Sequence, residues 1–165
     1  MTVLQFFAGS LVGVIVLVSG PTLAQSQTSV KEAVVTARAT GRFDVNVAPL
    51  TADSADTGGF GRMSLEKTFS GDLTGTSRGQ MVAAGTEVEG SGGYVALERV
   101  TGTLQGRTGS FMLMHAGTMK AGNYEMRITV VPDSGTGELA GLSGTFLIIF
   151  EGKNHLYQFD YSIGG

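Results

Sequence analysis

The chain has 165 residues, 42% of them hydrophobic and 15% charged, a net charge of −3 and no cysteine. The hydrophobic fraction excludes a disordered chain, and the acidic balance argues against a nucleic-acid partner, which needs a basic surface. Without cysteine there is neither a disulfide framework nor a thiolate metal site, and 26 glycines against 3 prolines fit the tight turns and bulges of an all-β domain.

Residues 1–30 carry no charged side chain. An apolar run from Leu4 to Val18 is broken by Gly20-Pro21, and Thr22-Leu23-Ala24 precedes Gln25. This reads as a signal peptide over residues 1–24, cleaved after Ala24, although no Lys or Arg precedes the apolar run. An uncleaved anchor or a mis-assigned start codon are the alternatives. The expected location is secreted or periplasmic with the leader, and cytoplasmic if the start codon is mis-assigned. Membrane contact is expected only if the leader stays. Residues 25–34 then form a linker and 35–165 a β-barrel domain.

From about residue 33 the hydrophobic pattern has period two. Ala37, Ala39, Phe43, Val45 and Val47 alternate with Arg38, Thr40, Arg42, Asp44 and Asn46. Residues 51–59 read as a loop, and a second strand alternates Met63, Leu65, Lys67 and Phe69 with Arg62, Ser64, Glu66 and Thr68. Further strands are predicted near 74–88, 93–105, 109–119, 124–131, 143–151 and 155–163, with one helical turn between Gly137 and Leu142. About eight short antiparallel strands with glycine turns predict a small antiparallel eight-stranded barrel, preferred over a sandwich because closure removes exposed edges. Two strands are apolar on both faces, through Val95 and Leu97 beside Tyr94 and Ala96, and Met112 and Met114 beside Phe111 and Leu113. Such strands need a cover, and a second subunit is the economical one. A homo-oligomer is therefore expected.

Alternation also assigns faces. Lys67 points inward, and Tyr157, Phe159 and Tyr161 point inward while Gln158, Asp160 and Ser162 face water. Taking Gly106-Arg107 as the hairpin loop pairs Gln105 with Thr108 and sets Glu98 directly opposite His115. A slide by two residues keeps them diagonal on one face; a slip by one sets His115 beside Arg99. Glu98 and His115 are the candidate catalytic pair, able to perturb each other and handle protons. Lys67, Phe69, Tyr94, Phe111, Tyr157 and Tyr161 are the candidate ligand contacts. The competing reading is a filled barrel with an internal salt link, and for Tyr157 and Tyr161 packing with a satisfied hydroxyl is favoured.

Two spellings mislead. Gly75-Thr76-Ser77-Arg78-Gly79 matches G-x-S-x-G, but no amphipathic helix signal follows it. Gly135 to Ala140 matches G-x-G-x-x-A without the long helix a dinucleotide site needs. A metal site built on His115 and His155 lacks close ligand spacing. No metal and no cofactor are expected.

The stretches "GRMSLEKTFSGDLTGTSRGQM", "GSGGYVALERVTGTLQGRTGSFMLMHAGTM", "ITVVPDSGTGELAGLSGT" and "HLYQFDYS" together resemble the family called domain of unknown function 3224. That resemblance covers most of residues 35–163 and implies a fold like plant allene oxide cyclase, an eight-stranded barrel that is commonly oligomeric. The turn from Ser134 to Gly144 resembles the glycine-rich turn of cyclases and dirigent proteins. Lys67, Glu98 and His115 fall where the family pattern usually has those residue types. Leu113-Met114-His115 departs from the family's usual Leu-Gln-His, and the leader departs from its expected cytosolic setting. Three functions stand open: an isomerase or cyclase acting on an apolar oxygenated substrate, a lipocalin-like carrier of an apolar small molecule, and a filled structural barrel.

Overall fold

A computed structural model describes residues 35–50 and 59–164. The expected leader, linker and 51–58 loop lie outside the described residues. Eight strands run in order: β1 (Val35–Pro49), β2 (Gly61–Gly71), β3 (Leu73–Gly85), β4 (Gly92–Leu104), β5 (Arg107–Lys120), β6 (Asn123–Val130), β7 (Leu142–Glu151) and β8 (Asn154–Ile163). Each pairs antiparallel with its chain neighbours, and β8 returns to β1 to close the barrel. The fold is all-β, as the period-two pattern predicts. Strand β3 stops at Gly85, short of the expected residue 88. There the Thr86 N–H donates to the Ser91 carbonyl and the Val88 N–H to Thr86 Oγ1, which turns the chain.

Neither of the two misleading spellings finds its structural context. Gly75 to Gly79 lies within β3. Gly137–Leu139 forms a single 3-10 turn.

The β4–β5 hairpin corrects the expected register. Its loop is Gln105-Gly106, with φ of 46° and 87°, and Leu104 pairs with Arg107. Two positive φ values in a row make the primed turn whose twist suits a two-residue hairpin. Gln105 therefore occupies a place in the turn, not one opposite Thr108. Glu98 stands opposite Leu113 and His115 opposite Ala96. The shift is two residues, so Glu98 and His115 stay on one face, diagonally.

One end of the barrel is packed solid. Leu73, Leu104, Phe111, Leu139, Leu142 and Phe159 are buried there, and the Phe111 and Phe159 rings stack 5.7 Å apart. Strands β6 and β7 pair only through Ile128–Phe146 and Thr129–Thr145. The connection that follows β6 compensates by bonding to β5: the Thr136 N–H donates to the Ser110 carbonyl, and Thr108 N–H donates to Glu138 Oε2. Leu139, on its 3-10 turn, plugs this end.

Tyr157 ties the packed end together. Its hydroxyl oxygen accepts the Leu73 N–H at 2.8 Å, so a β8 side chain holds the start of β3. The ring passes over Gly41 of β1, where an added Cβ would lie 2.6 Å from the hydroxyl. Removing the hydroxyl leaves a buried N–H without a partner. Tyr157→Phe is expected to cost on the order of 1–3 kcal/mol, measured by denaturant melts, with the fold retained.

Candidate functional site

The other half of the barrel holds the charges. Lys67 on β2, Glu98 on β4 and His115 on β5 all face inward and are buried at 4%, 1% and 3% exposure. Lys67 Nζ donates to Glu98 Oε2 at 2.7 Å. His115 Nε2 stands 3.4 Å from the same oxygen, without the alignment of a hydrogen bond. Between β2 and β4 runs β3, where Gly79 pairs with both Leu65 and Glu98. A Cβ at Gly79 would lie 2.7 Å from Glu98 Cβ and closer still to the Leu97 carbonyl. Glycine there lets the carboxylate cross β3 to reach the lysine.

Burial pulls the Lys67 ammonium below the ordinary lysine value, against the Glu98 carboxylate that raises it. For Glu98 burial alone would raise the carboxyl, but His115 and Lys67 outweigh it and hold it below the ordinary carboxylate range. Glu98 is thus an ion at neutral pH. Tyr94 is pushed up by burial and then by the Glu98 charge, so its phenol stays protonated.

Among the described residues three buried side-chain polar atoms have no hydrogen-bond partner: Ser77 Oγ, Glu98 Oε1 and His115 Nε2. Ser77 pairs with Lys67 across β2–β3, so all three belong to one cluster. Above it lies a cavity of about 130 Å³, lined by Lys67 and His115 together with Phe43, Val45, Leu65, Met81, Tyr94, Ala96, Met126, Ile148, Phe150 and His155. Phe150 is 58% exposed, so the cavity opens where β7 turns into β8. His155 stacks on Phe43 at 5.2 Å beside this mouth. Tyr94 lies against Gly117, where any Cβ would run into its ring.

Of the candidates read from sequence, the structure brings Lys67, His115 and Tyr94 to the lining of this cavity, with Glu98 buried behind them against Lys67 and His115. Phe69 sits beneath it, its ring centroid 5.6 Å from that of Phe43. Phe111, Tyr157 and Tyr161 lie in the packed half instead, Tyr161 donating to Gln105 Oε1 at 2.7 Å. Both tyrosine hydroxyls at that end are satisfied, as the packing reading favoured. Sequence reading missed Ser77 and Gly79 as parts of the site, and weighed His155 only as a metal ligand. For Ser77 the signal was available, since it lies on the inward parity of β3. Among the described residues no group of three His, Asp or Glu side chains could hold a metal ion. A larger groove of about 680 Å³ runs over the outer wall past Phe60, Val82, Val95 and Ala116; it includes none of Lys67, Glu98 and His115 but shares Tyr94 and Met126 with the cavity above them.

A closed eight-stranded antiparallel barrel, filled at one end and carrying a buried Lys–Glu–His cluster under an apolar cup, defines the class of this protein. Residues 39–161 match the family described as Protein of unknown function (DUF3224), and the chain belongs to that family. A crystal structure of a protein with unknown function from the same family, from Shewanella oneidensis MR-1, is similar to it. The two are 46% identical, with a TM-score of 0.74, over 79% of this chain and 99% of that one. No curated protein matches the chain.

Breaking the buried pair from one side should be costly, and removing both partners should not. Lys67→Met is expected to lose roughly 3–5 kcal/mol, whereas Lys67→Met with Glu98→Leu recovers most of it. Urea melts of the two variants make the comparison. A depressed carboxyl stabilises fully above the unfolded value, near pH 4, and that stability goes as pH falls through the folded value. Acid melts should therefore show a loss below about pH 4 that is smaller in the double variant.

Proposed function

We propose that this barrel binds a small molecule, largely apolar, whose polar group settles on Glu98 and His115. The observation that supports this reading is an open-mouthed cavity lined by His115, whose Nε2 is buried without a partner, with the partnerless Glu98 Oε1 and Ser77 Oγ in the cluster behind it. A buried polar atom left unpaired costs free energy, so native proteins supply a partner from water or a ligand. The apolar walls from Phe43, Met81 and Met126 suit the rest of such a ligand.

The pair is also equipped for proton transfer. Glu98 carries a free oxygen that can accept a proton, and the adjacent imidazole can pass one on. A cofactor-independent isomerase or cyclase acting on an apolar oxygenated substrate would use the two in that way, with the cup holding the substrate in a reactive shape. A non-catalytic carrier would use the same contacts for affinity alone. The small cavity and the completed Lys67–Glu98 bond favour a third reading, a structural barrel with trapped water in place of ligand.

We also infer that a second copy of the chain covers the outer face of β3, β4 and β5. Val82, Val95, Leu97 and Met114 are 38%, 58%, 55% and 51% exposed. They form one patch, because Val82 pairs with Val95 and Leu97 with Met114. Beside it Glu125 and Arg127 point outward from β6, opposite charges that a second copy can pair. Met112 is partly sheltered, its sulfur 3.4 Å from an Arg99 nitrogen, which makes Met114 the better probe.

Native mass spectrometry of protein purified from its own cells should show added mass that His115→Ala loses while keeping its fold. A large stability loss in His115→Ala, with no bound mass in the wild type, would leave the structural barrel standing. Once a ligand is known, Glu98→Gln separates catalysis from carriage: an enzyme loses turnover, a carrier keeps most of its affinity. For the outer face, sedimentation at micromolar concentration should show an oligomer that Met114→Lys dissociates. A clean wild-type monomer would remove that inference.

A further inference from the structure

Resting on the small-molecule reading above, we propose that Lys67 is a carbonyl-trapping amine, whose Nζ condenses with a small aldehyde or ketone in the cavity to form a Schiff base. Lys67 is the one amine among the residues that line this cavity, and most of the other walls are apolar. Its Nζ makes a single hydrogen bond, to Glu98 Oε2 at 2.7 Å. An ammonium has three N–H donors, and the other close neighbours of this one are aromatic faces. The Phe43 centroid lies 4.9 Å away and that of Phe69 5.9 Å, and Phe43 is itself a wall of the cavity. Size limits the carbonyl compound. The cavity measures about 130 Å³, and an engineered apolar cavity of about 150 Å³ accommodates benzene, so one six-membered ring is the upper bound.

An amine attacks only when neutral, and the pair supplies what that needs. Burial pulls the ammonium below the ordinary lysine value, against the Glu98 carboxylate that raises it. Glu98 Oε2, already in contact, takes the proton. The Nζ lone pair then bonds to the carbonyl carbon, and the C=O π pair moves to oxygen. A proton passes from nitrogen to that oxygen through the carboxylate, giving the carbinolamine. Glu98 next returns the proton it first took, the C–O bond breaks, water leaves, and the nitrogen lone pair closes the C=N bond. An ammonium and a carbonyl thus become a protonated iminium and one water, with no net transfer of protons. The iminium keeps a positive charge beside Glu98, so condensation never strands the buried carboxylate, which would be the costly outcome. His115 lines the same cavity, its partnerless Nε2 3.4 Å from Glu98 Oε2, and is placed to hydrogen-bond the departing oxygen.

Cyclohexanone with sodium cyanoborohydride tests this, since the hydride reduces an iminium to a stable secondary amine. The full-length protein is treated at about pH 7, where an exposed lysine is almost wholly protonated, and peptide mass mapping locates the adduct. Lys120 and Lys153, both exposed, are internal references. Lys67 is expected to be labelled at least about tenfold faster than either, the return on a held and partly desolvated amine. In urea that advantage should vanish, and in Lys67→Met with Glu98→Leu total labelling should fall to the rate of the reference lysines. Labelling of Lys120 and Lys153 ahead of Lys67 overturns the proposal, as does an advantage for Lys67 that persists in urea. The NMR shift of the Met126 methyl, followed with cyclohexanone alone, reports occupancy of the cavity. A shift without an adduct on Lys67 sinks this inference and leaves small-molecule binding intact. Neither shift nor adduct removes both.

Discussion

Inside a closed barrel, water is scarce and an isolated charge is expensive, so the ion pair between Lys67 and Glu98 constrains everything around it. The two residues sit on strands that do not pair, with β3 between them. Their bond forms only if β2, β3 and β4 keep the register that places Ser77 beside Lys67 and Gly79 beside Glu98. A one-residue slip in either ladder would turn a charge out to solvent and strand its partner. The pair therefore acts as a register lock in a fold whose alternating strands are otherwise tolerant. Gly79 is part of the lock, because a side chain there would occupy the space the carboxylate crosses.

The barrel is divided along its axis into two materials. At the end closed by the 3-10 turn, aromatic rings stack and every tyrosine hydroxyl has a protein partner, so nothing is left to bind a ligand. Toward the β7–β8 turn, the packing loosens and polar atoms lack partners. This division has a physical logic: rigid packing at one end holds the strands so that the charged cluster keeps its geometry without filling the cup. Ligand recognition needs groups held in place yet unsatisfied, and only the second half offers both.

Membership of a family with no assigned activity leaves the chemistry to be argued from the cluster. On the reading proposed above, proton handling and ligand binding would draw on the same atoms, since Glu98 Oε1 and His115 Nε2 are both buried and unpartnered. The carboxyl is ionised by its neighbours despite burial, and so accepts readily. That combination is uncommon in a core built only for stability, where a partnerless acceptor is a cost with no return.

Much of this was legible in the residues themselves. Period-two alternation placed all eight strands to within about three residues and assigned Lys67, Glu98, His115, Tyr157 and Tyr161 to the inner face, because side chains on a strand can point only two ways. The same rule kept Glu98 and His115 on one face even though the hairpin loop was misplaced by one residue, since the register moved by two. What alternation cannot see is distance along the barrel axis. Tyr157 and Tyr94 have the same parity, yet one is locked in the packed end and the other lines the cup. Which inward residues share a layer depends on the stagger between neighbouring strands and on where the chain folds back over an opening, as Leu139 does. The sequence by itself determined which side chains lie inside; only the closed tertiary structure decided which of them meet, because the meeting is fixed by strand stagger and by glycines such as Gly79 and Gly41 that let side chains cross a neighbouring strand.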